Sequence, residues 1–170
     1  MLKKTIAMML VALSLLSLVA CKKDEDKKAS EQTTAEQTTA EQKAEEQKSE
    51  DVEMKYMSSE DLNAKLDDAN YLIIDARKAE DYAAGHIKNA VNADMDKAKD
   101  GDAESGKSNM QAAIGDAKDK TIVLVCYSGK KYAQAGTNAL SALGYDMEKV
   151  FTLEGGMKDY EGKFADSIVK

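Results

Sequence analysis

A chain of 170 residues with 31 Asp and Glu against 24 Lys and Arg carries a formal net charge of −7. That balance, with no basic stripe along the chain, argues against a nucleic-acid partner, because an acidic surface repels phosphates. The length suits one domain with extensions, and the two cysteines and one histidine make no cluster with metal-ligand spacing, so neither a metal nor a cofactor is expected.

Met1 to Ala20 begins with Lys3 and Lys4 and then runs from Ile6 to Ala20 without a charge. The run is short for a membrane span and has the layout of a secretory signal. It closes on Leu18-Val19-Ala20-Cys21, which resembles the lipobox of bacterial lipoproteins. The resemblance implies cleavage before Cys21 and a diacylglycerol on its thiol, which would tether the protein to the extracytoplasmic face of the cell membrane. The plainer alternative is a signal peptide with an incidental cysteine. Loss of residues 1–20 removes two lysines and takes the net charge from −7 to −9. With Cys21 lipidated, Cys126 is the only thiol left, and no intramolecular disulfide can form. An exported protein meets an oxidising environment in which an idle thiol is a liability.

Residues 21–53 read as the lipidated cysteine and a linker. From Lys22 to about Asp51 the composition is Lys, Asp, Glu, Gln, Thr, Ser and Ala, with Thr-Thr-Ala-Glu-Gln in tandem at Thr33–Gln37 and Thr38–Gln42. Such a segment cannot bury enough apolar surface to offset chain entropy, so it is expected to be disordered, a spacer with a mean reach of about 30 Å.

The globular domain is expected over 54–170, long enough for one core. Ser58 and Asp61 stand at capping-box spacing and open a helix that carries Leu62 and Leu66. Tyr71–Ile74 is a short apolar run that ends at Asp75 and fits a buried strand. Ala90–Ala93 suggests another, and the Lys/Asp/Gly/Ala-rich stretch that follows reaches a helical patch near Asn109–Ala117. Thr121–Val125 is the most β-branched run and the best candidate for a central strand. Tyr132–Leu143 reads as helix stopped by Gly144, and Val150–Leu153 as a last strand before Gly155-Gly156 and a short helix around Met157–Tyr160. Strands alternating with helices predict an α/β domain with a parallel sheet covered on both faces, where ligands bind beyond the carboxyl ends of the strands.

Cys126 sits at one such end. Residues Cys126-Tyr127-Ser128-Gly129-Lys130-Lys131 join the strand to the next helix. A tight turn of this kind points backbone amides inward as an anion nest, and the helix N-terminus adds its own N–H groups. Lys130 and Lys131 add two charges, and all three effects favour thiolate over thiol. Local sequence leaves the other reading open, in which Cys126 is a small buried hydrophobe beside ordinary turn chemistry.

"CYSGKKYAQAGTNALSALGY" resembles the active-site loop and following helix of the rhodanese (sulfurtransferase) family, whose usual form is Cys-x-x-Gly-x-Arg-Ser. "YLIIDARKAEDYAAGHI" (Tyr71–Ile87) resembles the family's strand, Asp-x-Arg and Gly-His-Ile. "VFTLEGGMKDYEG" (Val150–Gly162) resembles its last strand, Gly-Gly turn and closing helix. These three stretches, in family order, imply a rhodanese-like single domain. They also imply a mechanism in which the Cys126 thiolate takes sulfur from a small donor such as thiosulfate or polysulfide. The loop from Tyr127 through Ser128, Gly129 and Lys130 to Lys131 would cradle the persulfide, and a thiol or cyanide acceptor would remove it. The six-residue loop resembles the sulfur-handling members; related phosphatases and arsenate reductases carry one residue more. The alternatives are a non-catalytic binding module and a thiol redox partner.

Two departures stand out: Lys131 replaces the family's arginine, and Tyr132 the serine after it. Lysine offers one compact charge where arginine offers a bidentate fork, so the first swap bears on thiosulfate affinity. The family's Pro-Gly after Gly-His-Ile is Lys88-Asn89 here. Asp75 and Arg77, together with Glu80, are expected to brace the sheet end, and His86 to position loops by hydrogen bonding rather than to act in catalysis. Gly155-Gly156 is either a plain turn or, by resemblance, a wall beside the loop.

Overall fold

The computed structural model describes residues 50–170. The expected signal sequence, Cys21 and the expected linker as far as residue 49 lie outside the described residues. The sheet is built from β1 (Tyr56–Met57), β2 (Tyr71–Asp75), β4 (Val91–Asn92), β5 (Thr121–Val125) and β6 (Val150–Leu153) in the order β1-β6-β5-β2-β4, and every pairing is parallel. β3 (His86–Ile87) and β7 (Ile168–Val169) form a separate antiparallel ribbon. The helices are α1 (Ser59–Asn63), α2 (Ala79–Ala84), α3 (Ala103–Ile114), α4 (Lys131–Ala142) and α5 (Gly156–Lys163).

β5 is the centre of the sheet, and after Thr121 its residues are all apolar. Ile122, Val123, Leu124 and Val125 are all fully buried, each contributing about 1.5–3 kcal/mol by burial. Strand alternation sends Ile122 and Leu124 to one face, where Met110, Ile114, Ala133 and Leu140 of α3 and α4 cover them. Val123 and Val125 go to the other, against Leu62 of α1 and Met157 and Tyr160 of α5. An α/β layer with a parallel sheet between helices is the architecture that the alternation of elements predicts.

The elements differ from expectation at their edges. Ser58 caps α1 by accepting from the Asp61 amide at 3.0 Å. Its hydroxyl in turn donates to the Asp61 carboxylate at 2.7 Å, so the box closes through side chains. α3 starts at Ala103, well before the patch expected near Asn109–Ala117, and ends at Ile114. Its opening turns are hidden in the sequence by Gly106, a poor helix former. The glycine is a packing requirement, since a Cβ there would stand 2.7 Å from the Ala98 Cβ. Asp51 and Val52 are tied to α4: the Val52 amide donates to Asn138 Oδ1 at 3.0 Å, Gln134 Nε2 to the Val52 carbonyl at 2.7 Å, and Asn138 Nδ2 to Asp51 Oδ1 at 2.9 Å.

A helix-interior glycine normally gains about 1 kcal/mol on replacement by alanine. At Gly106 the clash outweighs that gain, and Gly106→Ala is expected to destabilise the domain by about 1–3 kcal/mol, the usual cost of overpacking. Urea unfolding checks the sign.

Candidate active site

Cys126 follows the last residue of β5 and is 2 % exposed. Its loop is pinned from the side by α5. The Met157 amide donates to the Cys126 carbonyl at 2.8 Å and the Lys158 amide to the Tyr127 carbonyl at 3.3 Å. A trans peptide points its N–H opposite its C=O, so the Tyr127 and Ser128 amides turn away from α5. At the far end, the Lys130 carbonyl accepts from the Gln134 amide at 2.8 Å, which turns the Lys131 N–H back toward the loop. Among the described residues none of the backbone N–H groups from Tyr127 to Ala133 donates to a backbone carbonyl. These unspent donors and the start of α4, a helix of 12 residues, make the loop end electropositive.

Two glycines make this packing possible. Gly129 has φ +67°, and a Cβ on it would stand 2.7 Å from the Leu153 carbonyl. Gly156 has φ +65°, and a Cβ on it would stand 2.4 Å from the Cys126 carbonyl oxygen, 2.6 Å from the Ser128 nitrogen and 2.8 Å from the Gly129 nitrogen. The Gly155-Gly156 turn is therefore a wall against the loop.

Asp75 and Arg77 form a buried pair, 0 % and 6 % exposed. Arg77 Nε donates to the two Asp75 oxygens at 3.0 and 3.1 Å, and Nη2 donates at 2.7 Å to Asp75 and at 2.6 Å to the Gly85 carbonyl. Burial opposes the Arg77 charge, but the Asp75 carboxylate outweighs it and leaves the guanidinium pKa raised. Glu80 does not join them: it is exposed, and its neighbour Asp81 turns inward instead, accepting from the Tyr127 hydroxyl. The reason is helical phase, since adjacent residues on α2 face directions about 100° apart. His86 Nδ1 lies 2.9 Å from the Tyr82 carbonyl, and its ring stacks on Tyr82 at 3.9 Å.

The side-chain contacts of two tyrosines at the loop, Tyr127 and Tyr132, escaped the sequence reading. Tyr127 lies with the Arg77 guanidinium 5.9 Å from its ring. Its phenol is pushed up to about 12 by burial and by its bond to Asp81. Tyr132 on α4 donates to Asp96 at 2.5 Å and meets the Tyr127 ring edge-on at 5.0 Å; burial and Asp96 raise its pKa as well. Their partners are 46 and 36 residues away in sequence, so no local spacing could have signalled them. Lys130 and Lys131 are exposed, and Lys131 lines a groove along α4 with Gln134 and Asn138. Among the described residues no group of His, Cys, Asp and Glu is placed to hold a metal.

The model of the Rhodanese-like domain matches residues 58–163, which takes in β2, the Cys126 loop and the Gly155-Gly156 turn. The chain belongs to the rhodanese-like domain family. A curated relative, the tRNA uridine(34) hydroxylase of Escherichia coli, is 32% identical over 112 residues, covering 66% of this chain and 30% of that protein. The chain thus spans under a third of that relative's length. Among solved structures, the As-Sb reductase from Leishmania major superposes with a TM-score of 0.51 at 23% identity, over 67% of this chain and 81% of that one. The reduced CoADR-RHD of Bacillus anthracis gives 0.51 at 22% identity, over 69% and 18%. At these identities the two structures establish the rhodanese-like fold.

Because the atoms that a Gly156 Cβ would strike are all backbone, no side chain can move aside for it. Gly156→Ala is expected to cost about 2–4 kcal/mol through strain at positive φ and displacement of the loop, read as a lowered urea midpoint, with slower alkylation of Cys126.

Proposed function

We propose that the chain is a sulfurtransferase that carries sulfane sulfur as a persulfide on Cys126. The observation that carries this reading is the run of unspent amides from Tyr127 to Ala133 that follows a buried cysteine at the carboxyl end of β5. Such a run favours a thiolate and can then hold the charged sulfur added to it. The six residues from Cys126 to Lys131 suit a sulfur atom better than a tetrahedral oxyanion. The small donor gives up its outer sulfur, and a thiol or cyanide takes it from the protein.

One observation favours a second reading, a binding module in which Cys126 is idle. Lys131 stands where the family has arginine, is exposed, and lines the α4 groove. The two readings part on intact mass. Treatment with thiosulfate or a polysulfide is expected to add one sulfur atom to the wild type, and cyanide to remove it as thiocyanate. Cys126→Ser is expected to do neither. Lys131→Arg restores a fork for the donor's oxyanion, so turnover with thiosulfate is expected to rise severalfold while turnover with polysulfide, which carries no oxyanion, changes little. A wild-type protein that takes sulfur from no donor leaves the binding module standing.

The proposed location is the extracytoplasmic face of the cell membrane, through lipid on Cys21, on the strength of Leu18-Val19-Ala20-Cys21 closing an uncharged run. Cys21→Ser is expected to block acylation and move the protein from the membrane fraction. Equal processing and equal release of both forms would rule the anchor out.

A further inference from the structure

Thr152 on β6 is 1 % exposed, and its Oγ1 is the one buried side-chain polar atom without a hydrogen-bond partner among the described residues. An unpaired hydroxyl in a dry interior is unfavourable, and a valine would fill the same space without that penalty. The other buried threonine, Thr137, settles its hydroxyl on the Ala133 carbonyl at 3.0 Å.

The pairing of β6 with β5 places Thr152 close to the Cys126 loop. Val150 belongs to the cluster that holds Leu124 and Cys126, and Leu153 to the opposite one. Strand alternation therefore puts Thr152 on the Cys126 face. It pairs with Leu124, two residues before Cys126. Its methyl group is 3.7 Å from where a Cβ on Gly129 would stand, so the side chain lies against the underside of the loop. Thr152 thus shares a sheet face with Cys126 on the neighbouring strand, and its hydroxyl is the buried side-chain group left unpaired there among the described residues.

Resting on the sulfurtransferase reading, we propose that the Thr152 hydroxyl is a sulfur-binding donor, unpaired in the resting protein and paired in the loaded one. When the Cys126 thiolate attacks the outer sulfur of thiosulfate, a new S–S bond forms. The donor's own S–S bond breaks, and sulfite leaves with its electron pair. The negative charge that stood on Cys126 then stands on the terminal sulfur, and Thr152 donates to it. A hydroxyl hydrogen turns freely about its C–O bond, so the backbone need not move.

Thr152→Val removes the hydroxyl at constant shape, and Thr152→Ser keeps it. The full chain of each is equilibrated with thiosulfate and sulfite, its loaded fraction read by intact mass, and its melting measured without donor. Thr152→Val is expected to melt at or slightly above the wild-type temperature, while its equilibrium constant for loading falls about tenfold, the worth of one hydrogen bond to a charged acceptor. Thr152→Ser is expected to load like the wild type. Equal loading of the wild type and Thr152→Val would overturn the inference and leave the sulfurtransferase reading intact. A Thr152→Val protein that melts far below the wild type, or fails to fold, would also overturn it, because the hydroxyl would then be paired in the resting state. A wild type that never takes up sulfur overturns the sulfurtransferase reading itself, and the role of Thr152 with it.

Discussion

Two hydrogen bonds from the start of α5 to the Cys126 and Tyr127 carbonyls are the constraint on which the site depends. They fix the direction of two peptide planes, and the opposite edges of those planes carry the amides that would meet sulfur in the proposed reaction. Without that pull the carbonyls would be free to turn inward, and their partial negative charge would oppose a thiolate. The close approach works only because Gly129 and Gly156 have no side chain to hold the two backbones apart.

Every wall of the site comes from the carboxyl end of a strand. Arg77 follows β2, Asp96 follows β4, the Cys126 loop follows β5, and the Gly155-Gly156 turn follows β6. A parallel sheet brings those ends to one edge, and polar contacts then tie them together. Arg77 holds Asp75 and the Gly85 carbonyl, Tyr127 reaches Asp81 on α2, and Tyr132 reaches Asp96. The buried Asp75–Arg77 pair is balanced only while both members are present, since either one alone would be an uncompensated buried charge.

The departure at Lys131 is easier to place with this geometry. The electropositive character of the loop comes first from peptide groups, which no side-chain substitution removes. An exposed lysine in the first turn of α4 adds charge but no fork, so in the proposed sulfur transfer the loss would fall on donors that carry an oxyanion rather than on sulfur itself.

Much of this was legible in the chain. Thr121–Val125 and Val150–Leu153 could only be strands, because β-branched and apolar runs of that length, closed off by polar turns, bury both faces. The cysteine at the end of one of them, followed by a glycine and then a helix, marks the candidate site in the sequence. Three motifs in order identified the family. The short strands Tyr56–Met57 and Ile168–Val169 carried no signal, because two residues show no period, and pairing with β6 and β3 is what makes them strands. The early turns of α3 were masked by Gly106, whose reason lies in Ala98 across a packed interface. That Asp81 rather than Glu80 turns inward, that Tyr127 and Tyr132 are held by carboxylates, and that Thr152 lies unpaired beneath the loop were decided by tertiary structure alone. Each depends on which strand ends the fold brings together, and that proximity is set by packing over tens of residues, not by the neighbours of any one of them.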